Sequence, residues 1–260
     1  MHFYNFFSGI INFLQHIHPE YVWVILLLCS FVSILILLRF FGESGLYIYI
    51  GIAIVAANIQ VLKAVKFSVY SQPIALGTIL FTSTYLCTDI LAEYFGYSSA
   101  RKGVYLGFVA MVLMTLFMTL AIAFQPIDPA AVGPHFQWAL DNHYHIEAIF
   151  SPAPTLLVAG MFAYLISQLN DVWSFLKIKK LTHGRFLWLR NTTSTLLSTF
   201  IDNVIFSFLA WIILAKYPLP LKTVWYTYIL GTYWLRVIVT FLTIPIIYGA
   251  YYCLPKNKKP

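Results

Sequence analysis

The stretch "STLLSTFIDNVIFSFLAW" (Ser194 to Trp211) sets a carboxylate, Asp202, and an amide, Asn203, in a run otherwise apolar enough to cross a membrane. An ionised group at the centre of a bilayer costs about 2.5–3.5 kcal/mol on insertion scales. Such residues face a bundle interior or a wet cavity, where they bind or carry something polar. Asp202 has company. Thr192, Thr195, Thr199, Asp202 and Phe206 recur at steps of three or four, as do Thr78, Thr82, Tyr85, Asp89 and Glu93. Tyr164, Gln168 and Asp171 form a third row, and Thr232, Arg236, Thr240 and Thr243 a fourth. Each row lies on one helix face. Asn58 adds an amide elsewhere. Four polar seams, each holding an ionisable group, point to a binding cavity for a small polar solute.

Depth divides these groups. Asp202 lies eleven residues past Asn191, or ~17 Å along a helix, near the bilayer midplane. Arg236 falls at a similar depth. Asp89, Glu93 and Asp171 sit nearer one end of their helices, within reach of Arg101, Lys102 and the basic loop Lys177 to Arg190. The candidate substrate-binding set is Asn58, Asp89, Glu93, Gln168, Asp171, Asp202, Asn203 and Arg236. A plainer account stands beside it. Asp202 with Arg236 reads equally as an ion pair that docks two helices, Asp89 and Glu93 as a helix-end network with Arg101, and the Ser and Thr seams as helix-to-helix contacts.

The elements that must hold these groups follow from composition. Hydrophobic residues make up 60% of the chain and charged residues only 10%. Mean hydropathy is +0.80, whereas soluble chains carry about 25% charged residues. The fold class is an all-α integral membrane protein, a polytopic bundle. Seven stretches match the ~20 apolar residues that a membrane-spanning helix needs: 21–40, 45–62, 72–91, 103–124, 153–176, 191–214 and 223–253. Residues 1–44 read as an interfacial segment and one helix, 45–253 as the core, and 254–260 as a basic tail.

Orientation follows from charge. The loop "KIKKLTHGRFLWLR" (Lys177 to Arg190) is the most basic and is placed in the cytoplasm. Alternation then puts eleven of the 16 Lys and Arg residues inside, including the tail "KNKK" (Lys256 to Lys259), with the N-terminus outside and the C-terminus in. Topology accounts for the net charge of +7, so no nucleic-acid partner is invoked. The outer segment Pro134 to Phe150 reads as a short helix at the interface. His143 and His145 near Asp141 and Glu147 read as surface residues rather than a metal site. Cys29, Cys87 and Cys253 lack metal or disulfide spacing.

Four segments, in this order, carry a family resemblance: "TDILAEYFGYSSARKGVYLG" from Thr88, "QLNDVWSFLK" from Gln168, "RNTTSTLLSTFIDNVIFSFLAW" from Arg190 and "YWLRVIVTFLTIPIIYG" from Tyr233. With their T-D-x-x-x-E, Q-x-x-D and S-T-x-x-x-x-x-x-D elements, they resemble the queuosine precursor transporters of the bacterial inner membrane, also labelled vitamin uptake transporters. The resemblance runs from Gly45 to Tyr248. It implies a six-helix core like the substrate components of energy-coupling-factor transporters, plus one N-terminal helix. It also implies import of 7-cyano-7-deazaguanine and related 7-deazaguanine bases for tRNA queuosine modification.

Such a base presents an N–H beside an amino group, which one carboxylate accepts together. Asp202 is the expected acceptor, with amides from Asn58, Gln168 or Asn203 for the carbonyl and Tyr85, Tyr164, Phe206 or Tyr233 for stacking. Asp89, Glu93 and Asp171 would then form an inner gate or second polar layer. The expected partners are the deazapurine and the bilayer, with a homo-oligomer left open. No cofactor, metal or coupling ATPase module is expected, since the chain has no GxxxxGK[ST] loop. Alternatives are transport of another nucleobase or vitamin, an intramembrane enzyme holding Mg²⁺ through Asp89 and Glu93, or a scaffold.

Overall fold

The computed structural model describes residues 2–68, 73–150 and 154–255. Helix α1 (His2–His16) precedes α2 (Pro19–Phe41) and α3 (Glu43–Gln60). A two-stranded antiparallel hairpin follows, with β1 (Ala64–Val65) paired to β2 (Ile74–Ala75). Then come α4 (Thr78–Tyr94), α5 (Tyr97–Ala123), the short α6 (Pro129–Val132) and α7 (Gln137–Phe150). Helix α8 (Pro154–Leu181) turns into α9 (Leu187–Phe208), which continues as a π-helical segment, Leu209–Ile213. The last membrane-length element joins α10 (Leu221–Thr223), a π-helical segment Val224–Leu230, and α11 (Gly231–Cys253). The basic tail Lys256 to Lys259 lies outside the described residues.

Among the described residues, five helices are long and apolar enough to cross a membrane: Pro19–Phe41, Tyr97–Ala123, Leu156–Leu181, Leu187–Ile213 and Leu221–Cys253. The chain is an all-α, multi-pass membrane protein. Of the seven stretches expected from sequence, α3 and α4 stand outside this set. Helix α4 begins at Thr78 rather than near residue 72 and has 17 residues, about 26 Å of rise, short of a ~30 Å hydrocarbon core. Its composition has a physical reason. Every residue from Thr82 to Ala92 is buried, because α2, α3, α5, α8, α9 and α11 all pack around it. A helix shielded from lipid on all sides need not be apolar.

Close approach to α4 depends on small residues and tight turns. Gly42, at φ +58°, takes the left-handed backbone that lets α3 begin one residue after α2 ends. Gly107 on α5 gives the Tyr164 hydroxyl and Ile50 the space a side chain would fill. Helix α2 packs against α3, α4 and α11, with Ile34 and Leu38 fully buried, so the N-terminal helix is continuous with the bundle. Helices α8 and α9 form the most extensive pairing, joined by a tight turn in which His183, Gly184 and Phe186 are left-handed. The expected outer helix at 134–150 is α7, preceded by a 3₁₀ turn at Pro134–Phe136; His143 faces Glu147 at 4.0 Å on its own surface.

Candidate functional site

Asp202 on α9 and Arg236 on α11 meet: Arg236 Nη1 lies 2.7 Å from Asp202 Oδ2. Both side chains are about nine-tenths buried. Ser167 Oγ on α8 donates to Asp202 Oδ1 at 3.3 Å and accepts from the Tyr85 hydroxyl of α4 at 2.8 Å. The guanidinium also lies over the Phe81 ring, 5.8 Å from its centroid. Each Asp202 oxygen therefore has one protein donor and a lone pair to spare. Among the described residues, Asp202 is the acceptor that the Arg236 guanidinium bonds.

This pair forms the polar end of a cavity of about 360 Å³, within the size range of small-molecule sites. Asn203 lines it next to Asp202. Its Nδ2 is spent on the Ile229 carbonyl and the Thr232 hydroxyl, both at 3.1 Å, so its Oδ1 is the atom left for a ligand. Asn58 reaches the same cavity from α3, with its Nδ2 on the Ile54 carbonyl at 2.7 Å. The remaining wall is largely apolar and includes Phe81, Phe206, Trp211 and Tyr228. Trp211 and Tyr228 come from the two π-helical segments, and their rings lie 4.8 Å apart. A π turn re-aims the side chains that follow it, and such turns cluster at functional sites.

The other four predicted site residues lie in a second layer that does not line the cavity. Gln168 is fully buried and bonded at both ends: its Nε2 donates to Thr84 at 2.7 Å and its Oε1 accepts from Thr88 at 3.1 Å, stitching α8 to α4. Asp89 Oδ2 accepts from Asn191 Nδ2 at 2.6 Å and from Thr195 at 3.4 Å, and Asn191 Oδ1 in turn accepts from Thr243. Asp171 faces Asp89, with Ser194 and Ser198 beside it. Glu93 is the hub of an ion cluster. Arg190 Nη2 lies 2.7 Å from one carboxylate oxygen and Lys179 Nζ 3.0 Å from the other. Arg190 is almost fully buried and also donates to the carbonyls of Gly184 and Arg185, which locks the α8–α9 turn.

That network corrects one sequence expectation. Glu93 does not pair with Arg101, whose guanidinium lies over the rings of Tyr97 and Tyr105 on its own helix. Among the expected stacking residues, Phe206 reaches the cavity. Tyr85 and Tyr164 are buried in the packing, and Tyr233 packs on Phe200 while donating to the Leu196 carbonyl. Residues the sequence reading missed include Ser167, Asn191, Trp211 and Tyr228. Asn191 had a signal, since it stands four residues before Thr195 on the Asp202 seam.

A family model described as "putative vitamin uptake transporter" matches residues 75–250, from β2 to the last turn of α11. The chain belongs to that family. A protein of Bacillus subtilis (strain 168), named "Probable queuosine precursor transporter", is 31% identical over 238 residues, covering 91% of this chain and 96% of that protein. No solved structure matches the chain. Family and relative are both transporters, so the chain is a membrane transporter and not an enzyme. The matched region holds the Asp202–Arg236 pair, the inner layer and both π-helical segments, while Asn58 comes from the α3 wall that precedes it.

Proposed function

We propose that this transporter imports 7-cyano-7-deazaguanine and related 7-deazaguanine bases across the bacterial inner membrane, to supply tRNA queuosine modification. The observation that carries the reading is the cavity that ends in Asp202 and Arg236 beneath aromatic walls. A 7-deazaguanine is flat and neutral, with adjacent N–H and amino donors beside a carbonyl. The spare lone pairs of Asp202 accept the two donors in parallel. Arg236 or a neighbouring donor meets the carbonyl, and Phe206 and Phe81 cover the ring faces. The name of the Bacillus subtilis relative supports the same substrate class.

In this reading α2, α3, α4, α5, α8, α9 and the α10–α11 element all span the bilayer, giving seven spans with a six-helix core after α2. The N-terminus is periplasmic and the C-terminus cytoplasmic, because Arg101, Lys102, Lys179 and Arg190 gather at the end of the bundle away from the cavity mouth. The conformation is then outward-facing. Substrate enters from the periplasm and rests on Asp202, while the Glu93–Arg190–Lys179 cluster holds the cytoplasmic side shut. Release inward requires that cluster to part.

The test is tRNA queuosine in cells that cannot make the precursor, supplied with 7-cyano-7-deazaguanine, with the gene present or absent. Queuosine restored only with the gene present supports the reading. Absence of restoration by a protein shown to reside in the membrane overturns the substrate assignment and returns the cavity to other nucleobases and vitamins.

A further inference from the structure

Inside the bundle, one helical turn from the Tyr85–Ser167–Asp202 contacts, two carboxyl groups face each other with almost nothing to neutralise them. Asp89 and Asp171 are each 0% exposed. The Ser194 and Ser198 hydroxyls stand beside Asp171, but among the described residues no well-formed hydrogen bond reaches either of its oxygens or Asp89 Oδ1. Native proteins leave few buried polar atoms unmatched, and an orphaned buried carboxylate oxygen is among the most expensive.

Among the described residues no neighbouring cation resolves this. On the helices packed around the pair, Arg39, Lys177 and Lys180 are exposed at the surface, and the buried charged groups are already engaged. Glu93 of α4 holds Lys179 of α8 and Arg190 of α9, and Asp202 of α9 holds Arg236 of α11. On α5, Arg101 and Lys102 lie over tyrosine rings, and from α3 the Tyr49 hydroxyl bonds Ser30 and Ser83. The three orphan oxygens are sealed from solvent, which leaves no room for a hydrated ion.

We propose that Asp89 and Asp171 form a proton site, sharing one proton between their carboxyl groups, and that this proton is carried inward with the substrate. A proton occupies no volume, removes one of the two like charges and turns one orphan acceptor into a donor for the other. The first part of a route to it is in place. From the cavity, Asp202 contacts Ser167, Ser167 contacts Tyr85, and Asp171 and Asp89 stand four residues further along α8 and α4, about 6 Å of rise. Hydroxyl groups that both donate and accept are suited to passing a proton. The bookkeeping is simple: a proton enters from the cavity side as the carboxyl pair loads, and the same proton leaves to the cytoplasm when the inner cluster parts, with no bond of the substrate changed.

Proton occupancy stands apart from the substrate reading, whereas the coupling role rests on it, so two measurements on the full chain in lipid are needed. Infrared spectroscopy at neutral pH should show the C=O stretch of a buried protonated carboxyl, shifted in D₂O, present in wild type and Asp202→Asn but lost in Asp89→Asn and in Asp171→Asn. Absence of the band in wild type, or its survival in Asp171→Asn, overturns the shared proton; the wild-type spectrum decides even where a variant does not fold. In proteoliposomes, 7-cyano-7-deazaguanine should accumulate at least tenfold under an inward proton gradient. Asp171→Asn should lose accumulation yet keep gradient-free exchange of labelled for unlabelled base. Accumulation driven by sodium and indifferent to pH overturns the coupling role. A wild-type protein that takes up no base, with the band intact, overturns the substrate reading and leaves the proton site standing on its spectrum.

Discussion

The outer cavity and the inner layer are made of the same materials and differ in how their hydrogen bonds are spent. At the cavity, Asp202 and Arg236 satisfy each other and still have lone pairs and N–H groups to offer, and Asn203 keeps its oxygen unbonded. Deeper in the bundle, Gln168 is bonded at both ends and the Arg190 Nη groups are held by Glu93 and two carbonyls, with no open volume beside them. A carboxylate, an amide and an arginine on a helix face therefore do not by themselves mark a ligand site. Spare bonding capacity next to open volume does. The inner layer exists to hold helices and a closed end, and Asp89 with Asp171 is where unmatched buried carboxylate oxygens collect among the described residues.

That contrast is broken most directly at Asp202. Removing one oxygen deletes a charge-assisted contact to the base and the partner of Arg236, and bonds to charged groups are each worth about 1.5–3 kcal/mol. Asp202→Asn is expected to lower uptake on the order of 100-fold while the protein remains folded in the membrane, measured by labelled-base uptake beside expression. Normal uptake by that variant would move the ligand away from the ion pair. Arg190→Ala should do the reverse. It leaves Glu93 with Lys179 alone and frees the α8–α9 turn, and breaking a buried pair costs about 3–5 kcal/mol. A large fall in melting temperature in detergent is expected, with base affinity in the outer cavity changed less than tenfold.

Gln168→Leu sharpens the boundary between the layers. It leaves Thr84 and Thr88 without their partner across α4 and α8 and should cost about 1–3 kcal/mol of stability. Base affinity should be nearly unchanged; a strong affinity loss would place Gln168 in the binding set after all. Smallest of all is Trp211→Phe. The indole Nε1 is buried without a partner, so the phenyl ring keeps the contact with Tyr228 and removes only an unmatched donor. Melting temperature should hold or rise slightly, and a several-fold drop in uptake would show that this N–H meets the substrate.

Much of this arrangement was legible in the chain itself. Steps of three and four placed Asp202 with Thr195 and Thr199 on one face, and similar depth brought Asp202 and Arg236 together in expectation and in structure. What periodicity reports is the face of one helix, and it is silent on which face of which neighbour that face meets. For that reason the sequence leaves Glu93 within reach of Arg101, Lys102 and the Lys177 to Arg190 loop alike, and only the structure selects Lys179 and Arg190. The same limit hid Ser167 and Trp211. Ser167 looks like any small residue, and Trp211 enters the wall through a π turn that shifts the helical register. Helix α4 marks the opposite limit: residues 72–91 read as one more apolar span, whereas Thr78–Tyr94 is a 17-residue helix that six others enclose.

The pairing of Asp202 with Arg236 has an electrical consequence. A membrane potential does work only on net charge that moves through it, about 2.3 kcal/mol per elementary charge for each 100 mV. Carboxylate and guanidinium together present none, and a neutral base adds none. However far the cavity swings between the two sides of the membrane, voltage gains no purchase on it. A transport cycle that does respond to voltage must therefore carry its charge at some other point in the bundle, and a current recorded per molecule delivered would count that charge.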